Sequence, residues 1–185
     1  MLDAVQDLLV EQGYGAVTSR KIGERAGVTH QTVFYYFGSL DDLLLALIAR
    51  NAADFQERLD LALRDEHPLW ALWNIARDRE SGVIELQLKA MAVHNPAVRQ
   101  AMSKNLETFR TKAIAALSSA IGDRWPQEAH MATALALMIE SLGRYMVLDE
   151  AMTISAGHAP TIEFVERFMK EIELGKTETR DRLAK

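Results

Sequence analysis

With 185 residues, the chain is long enough for one or two small domains with a real core. Apolar residues make up 49% and charged residues 25%, which excludes a disordered tail. Cysteine is absent, which excludes disulfides and Cys-ligated zinc or iron–sulfur sites. The net charge of −5 weighs against a strongly basic nucleic-acid binder, since such proteins carry a positive footprint. No apolar run approaches the ~20 residues that span a bilayer. The opening stretch MLDAVQDLLV carries Asp3 and Asp7 and no basic leader, so no secretory signal is expected there. A cytoplasmic protein without a membrane segment is the expectation.

Residues 1–12 predict a short amphipathic helix, with Met1, Leu2, Val5, Leu8 and Leu9 on one face. Gly13 then stops it. The stretch TSRKIGERAGVTHQTVFYYF, residues 18–37, reads as two short helices around a tight turn. Thr18 caps the first, Gly27 supplies the positive φ that a helix exit favours, and Thr29 caps the second through a backbone N–H near Thr32. Ile22, Ala26, Val28, Val33 and Phe37 supply the seam between the helices. Phe34 and Phe37 are expected in the core, while His30, Gln31, Thr32 and Tyr35 face outward. Helix, Gly-containing turn, helix is the layout of a DNA-reading helix-turn-helix.

Ser39 and Asp42 form a capping-box-like start for a long helix reaching about Leu63, striped by Leu43, Leu44, Leu47, Ile48, Phe55 and Leu59. Pro68 suits the first position of the next helix. Further helices are expected at about 69–78, 81–94, 96–121, 127–148 and 159–174, punctuated at Asn95-Pro96, Gly122, Pro126 and Gly157. No stretch alternates like a strand, so the fold class is all-α, with about nine helices. The polar tail from Lys176 is expected to fray.

Several spaced pieces, LDAVQDLLVEQGY, IGERAGV, TVFYYF and GSLDDLLLAL, closely resemble the N-terminal domain of TetR-family transcriptional regulators. The likeness covers residues 1–47, about a quarter of the chain; the remainder matches in helix number and length. It implies a helix-turn-helix DNA-binding domain at 1–47 and a helical ligand-binding and dimerisation domain at 48–185. It also implies a homodimer, a double-stranded operator, and a small-molecule pocket in the body. Ligand binding would tilt the connecting helix and release the DNA, most often from a repressor. The chain departs from the family pattern in two places. Leu40 stands where a phosphate-contacting Lys is common, and no basic arm precedes the first helix. Both departures remove positive charge. Residues 1–50 carry Arg20, Lys21, Arg25 and Arg50 against Asp3, Asp7, Glu11, Glu24, Asp41 and Asp42.

A recognition helix entering the major groove by its N-terminal end would place His30, Gln31 and Thr32 nearest the bases, with Tyr35 one turn on. Gln can pair with adenine in bidentate fashion, Thr can pack on a thymine methyl, and His can donate to guanine or to phosphate. Tyr36, Thr18, Arg20 and Lys21 are cast as phosphate contacts, helped by the backbone donors at residues 18–20 and 29–31. Thr18 and Thr29 would cap helices in any protein, Tyr36 has a half-buried alternative, and Arg25 reads as an ion-paired charge.

In the body, Trp70, Trp73, Met91, His94, Met102, Phe109, Met138, Tyr145 and Met146 are candidates to line a cavity for a hydrophobic effector, although such a stripe is more often plain core. Ala132, Ala136, Ile139, Gly143 and Met146 form one stripe of a helix whose other side carries Met131, Leu135, Met138, Leu142 and Tyr145. A helix apolar on two sides needs two partners. The first stripe, with Ile162, Val165, Phe168, Met169 and Ile172 of the last helix, is expected to form a four-helix dimer interface. An enzyme is not expected: the five histidines show no ligand spacing, and neither a nucleophile elbow nor a Gly-rich phosphate loop occurs. No cofactor is expected. The alternative is a helical sensor of ligand or partner that has lost DNA binding, in keeping with Leu40 and the acidic head.

Overall fold

The computed structural model describes residues 1–121 and 130–183, with side chains through 119 and from 130 to 173. Among the described residues the protein is all-α: α1 Leu2–Gln12, α2 Ser19–Ala26, α3 His30–Phe37, α4 Leu40–Ala62, α5 Pro68–Ala76, α6 Arg79–Ala92, α7 Pro96–Ile121, α8 Met131–Ala151 and α9 His158–Leu183. A single 3-10 turn, Tyr14–Ala16, follows α1. The expected punctuation at Gly122 and Pro126, and a helix start at 127, lie outside the described residues. The tail expected to fray from Lys176 instead continues α9 to Leu183. That stretch contains no proline, and Gly175 alone does not break the helix.

The chain divides into two compact units. One comprises residues 1–57 and 79–107, the other 58–78 and 108–185. This division does not fall at residue 47. In the first unit, Val5, Leu8 and Leu9 of α1, Ile22 of α2, Val33 of α3 and Leu43, Leu44, Leu47 and Ile48 of α4 share a core with Ile84, Leu88 and Met91 of α6 and Val98 and Met102 of α7. The head is thus closed by α6 and α7, which begin only at Arg79 and Pro96. Polar contacts run along the same seam: Gln6 Nε2 donates to Glu80 at 2.8 Å, the Tyr14 N–H to Gln87 Oε1 at 3.2 Å, and Asn95 Nδ2 to Asp41 Oδ1 at 3.0 Å.

In the second unit, α5 packs on α8. Leu69, Leu72, Trp73 and Ala76 meet Ala132, Leu135, Ala136, Ile139 and Met146, joined by Leu59, Leu117, Met169 and Ile172. Gly143 makes the crossing possible, because an added Cβ would stand 2.6 Å from the Ala76 Cβ and 2.8 Å from its carbonyl carbon. The close approach expected of Gly143 is therefore made inside the subunit. By length and mean hydropathy α8 could cross a membrane, although Glu140 and Arg144 interrupt its apolar run. Its row from Ala132 to Val147 is spent on this core. Two imidazole–carboxylate contacts anchor α9, His158 Nε2 to Asp149 Oδ2 at 3.1 Å and Glu173 Oε2 to His67 Nδ1 at 2.9 Å.

Candidate nucleic-acid interface

The two helices of the motif are set by their caps. Thr18, in extended conformation, accepts from the Lys21 N–H at 3.3 Å and starts α2. Gly27, at φ 68°, ends it in the left-handed conformation that a glycine reaches without steric cost. Thr29 accepts from the Thr32 N–H at 3.2 Å and starts α3. Gly23, inside α2, is the residue that sequence reasoning left without a role. Its carbonyl accepts the Val28 N–H at 2.9 Å, and a Cβ there would stand 2.7 Å from the Val28 oxygen and 3.2 Å from the His30 nitrogen. Only a bare Cα lets the turn close this tightly. Gly38, at φ 74°, then turns the chain by 67° into α4. Ser39 Oγ accepts the Asp42 N–H at 3.0 Å and donates to the Asp42 carboxylate at 2.6 Å, completing the expected cap.

This construction leaves one surface open. Thr18, Arg20, Lys21, Thr29, His30 and Gln31 are exposed, and Tyr35 and Tyr36 stand out at 83% and 66% exposure, their rings edge-on at 5.3 Å. Thr32 is half-buried, with its hydroxyl 2.9 Å from that of Thr29. Its hydroxyl is paired with that of the capping residue. Phe34, expected in the core, is 41% exposed; Val33 and Phe37, four apart, take the inward face and leave it on the shoulder.

The cations divide by partner. Arg25 pairs with Glu11 and Asp7 of α1, and Arg50 with Asp3. The hydrogen bond from Arg25 holds the Glu11 carboxyl below the usual carboxylate range, and the same bond raises the Arg25 guanidinium. Lys21 Nζ donates to Gln12 Oε1 at 2.8 Å, a neutral partner that leaves its charge uncompensated. Asp3, Asp7 and Glu11 are therefore taken by Arg25 and Arg50. Leu40 packs against the core and supplies no charge.

The candidate residues of the body fall in different places. The proposed cavity residues are not brought together: Met91 and Met102 lie in the core of the first unit, while Trp73 is sealed in the second with Phe109 and Met146 packed in the same cluster. His94 is exposed, and Met138 and Tyr145 are each 61% exposed. Trp70 is half-buried and lines a cleft of about 510 Å³ between α5 and α9 with Asp65, His67, Asn74, Lys170 and Glu173. The stripe assigned to the dimer interface is also turned inward. Ala132, Ala136, Ile139, Gly143, Met169 and Ile172 are buried within their own subunit, and Ile162, Val165 and Phe168 are half-buried against the same core. The periodicity revealed two apolar faces on α8 but not which was inside. Small residues went to α5, where helices cross closely, and the large Met138 and Tyr145 were left outside.

Residues 1–47 match the model of "Bacterial regulatory proteins, tetR family". The fatty acid metabolism regulator protein of Bacillus subtilis is 29% identical over 66 residues, 36% of this chain. The chain spans about a third of that relative's length, 34%. A transcriptional regulator of Saccharomonospora viridis, solved in complex with choline, superposes with a TM-score of 0.72 at 20% identity over 92% of this chain and 90% of its own. FadR of Bacillus subtilis, solved in complex with stearoyl-CoA, gives 0.61 at 20% identity over 81% and 87%. These structures share the fold, and the head carries the sequence signature. The first 47 residues thus carry the signature of the bacterial regulatory proteins of the tetR family.

Proposed function

We propose that this protein is a DNA-binding transcriptional regulator that acts as a homodimer in the cytoplasm, and that it represses from a palindromic operator until a small effector releases it. The observation that carries the reading is the open surface of α3. Its N-terminus, His30, Gln31, Tyr35 and Tyr36 project together, with Arg20 and Lys21 of α2 unclaimed by any acid among the described residues. Gln31 reads adenine, His30 and Thr32 contact bases or phosphate at the helix start, and Thr18, Arg20, Lys21, Thr29 and Tyr36 fix the position on the backbone. Two such heads require half-sites ~34–36 Å apart.

The exposed faces of α8 and α9 support a revised dimer surface. Leu137, Met138 and Tyr145 of α8 and Phe164 of α9 stand in solvent; Phe164 stacks parallel on Phe168 at 6.4 Å and carries the Arg167 guanidinium over its ring at 5.9 Å. A second copy brings these faces together as a helical bundle about a two-fold axis. The Bacillus structure with stearoyl-CoA makes a long-chain acyl thioester the first hydrophobic effector to try.

A gel shift with genomic fragments across a salt series tests the reading. Retained fragments with a shared inverted repeat, and an affinity falling steeply with salt, are expected. Gln31→Ala should weaken the selected site by ~1–3 kcal/mol while sparing random DNA. Absence of any retained fragment at low salt overturns DNA reading. It would favour the sensor-only alternative, which the pairing of Arg25 and Arg50 with α1 supports.

A further inference from the structure

The cleft between α5 and α9 carries chemistry that the regulator reading does not use. Its buried end is Glu173, 6% exposed, on α9. Glu173 Oε1 accepts the Leu69 N–H at the start of α5 at 3.0 Å, and Oε2 faces His67 Nδ1 at 2.9 Å. A carboxylate oxygen only accepts, so the hydrogen of this contact lies on Nδ1. A carboxylate has about four lone-pair sites, so Glu173 keeps accepting capacity after both bonds. Asp65 adds more: its Oδ1 takes the His67 N–H at 2.8 Å, and its second oxygen has no partner among the described residues. The unused groups at this end are therefore acceptors, under negative charge.

The walls set the rest of the ligand. Trp70 lies half-buried one turn beyond His67 on α5, and Asn74 follows one turn further. The face of an indole attracts a cation or a flat apolar body. Lys170, exposed and one turn before Glu173 on α9, is the one ammonium against two carboxylates in the lining. The volume of about 510 Å³ lies in the range of small-molecule sites. A ligand that satisfies these walls needs several N–H donors, a positive charge and a compact apolar or aromatic body.

We propose that this cleft binds a small organic cation with N–H donors, a primary ammonium or an amidinium, whose charged head meets Asp65 and Glu173 and whose body lies on Trp70. The site belongs to the body alone, and its test does not depend on whether the head reads DNA. The 185-residue chain is titrated with benzylamine and benzamidine, followed by the three indole N–H signals in a proton–nitrogen spectrum, the Trp70 signal being assigned by Trp70→Phe. Saturable movement of that signal is expected, with about ten-fold weaker binding in Asp65→Asn, as the loss of one charge-assisted hydrogen bond implies. Glu173→Gln should weaken it further, but because Glu173 also holds the start of α5 this variant is used only if its melting is cooperative. Asp65→Asn keeps the test decisive in either case. No saturable movement up to roughly 10 mM, where even millimolar binding would register, overturns the proposal. Benzyl alcohol or benzoate binding as tightly as the amines overturns the charge assignment, and benzyltrimethylammonium doing so overturns the need for N–H donors.

Discussion

Substituting Gly23 by alanine sets two effects of opposite sign against each other. Glycine inside a helix is destabilising by roughly 0.5–1 kcal/mol relative to alanine, so on helix propensity alone Gly23→Ala strengthens α2. The turn argues otherwise. The new methyl would lie 2.7 Å from the Val28 carbonyl oxygen, with the Thr29 carbonyl carbon and the His30 nitrogen both at 3.2 Å. All three are backbone atoms, so no rotamer change relieves the overlap; the start of α3 must retreat by several tenths of an ångström. Overpacking of this kind costs about 1–3 kcal/mol. The net expectation is a loss of roughly 1–2 kcal/mol, which for a chain of this size lowers Tm by about 2–8 °C. The displaced atoms carry His30 and Gln31, so DNA affinity should fall by more than the thermal loss implies. Thermal unfolding followed by helix signal, paired with fluorescence anisotropy on the selected operator, measures both. A raised Tm with unchanged affinity would refute the argument, since it would mean that the turn has slack.

Gly143→Ala should likewise destabilise, by about 1–3 kcal/mol, because its methyl would meet Ala76 of α5 at 2.6 Å; urea unfolding measures it, and a gain in stability would refute the crossing. Phe164→Glu and Tyr145→Glu are expected to yield a folded monomer in sedimentation, whereas Phe168→Glu should damage the subunit core against which Phe168 packs. An intact dimer in both of the first two variants would remove this face from the interface. Because the Glu11 carboxyl is held low by Arg25, the pair stabilises fully above the ordinary carboxylate range and loses its contribution as pH falls through the depressed folded value. The Tm difference between the native chain and Glu11→Gln should therefore shrink on acidification. A difference that stays constant from neutral pH to below pH ~4 would contradict it.

The head was legible because local chemistry determines it. Thr18, Gly27, Thr29 and Ser39 announce helix ends within a few residues of themselves, and the capping bonds fall where expected. Leu8, Ile22 and Val33 announce a common core by their spacing. What lay beyond reach depended on atoms distant in sequence. Gly23 looked like a weak point of α2 until the Val28 carbonyl was placed against it. On α8, Ala136 and Met138 are both apolar, and nothing in their spacing says that the smaller one joins the core with α5. Met91 and Met102 read as pocket residues because they are large and soft; their burial with Val5 and Leu44 is a matter of tertiary partnership. The α5–α9 cleft was invisible for the same reason, since Asp65 and Glu173 are more than a hundred positions apart.

The seam joining α1 and its exit turn to α6 has a bearing on how the parts of this chain can be recombined. Gln6 reaches Glu80, Tyr14 is held by Gln87, and Val5 and Leu8 share their core with Ile84 and Leu88. A hybrid regulator made by grafting the first 47 residues onto a foreign body would leave those side chains facing strangers. Transplantation that carries residues 79–107 along with residues 1–57 keeps each neighbour in place, so the whole unit is the piece to move.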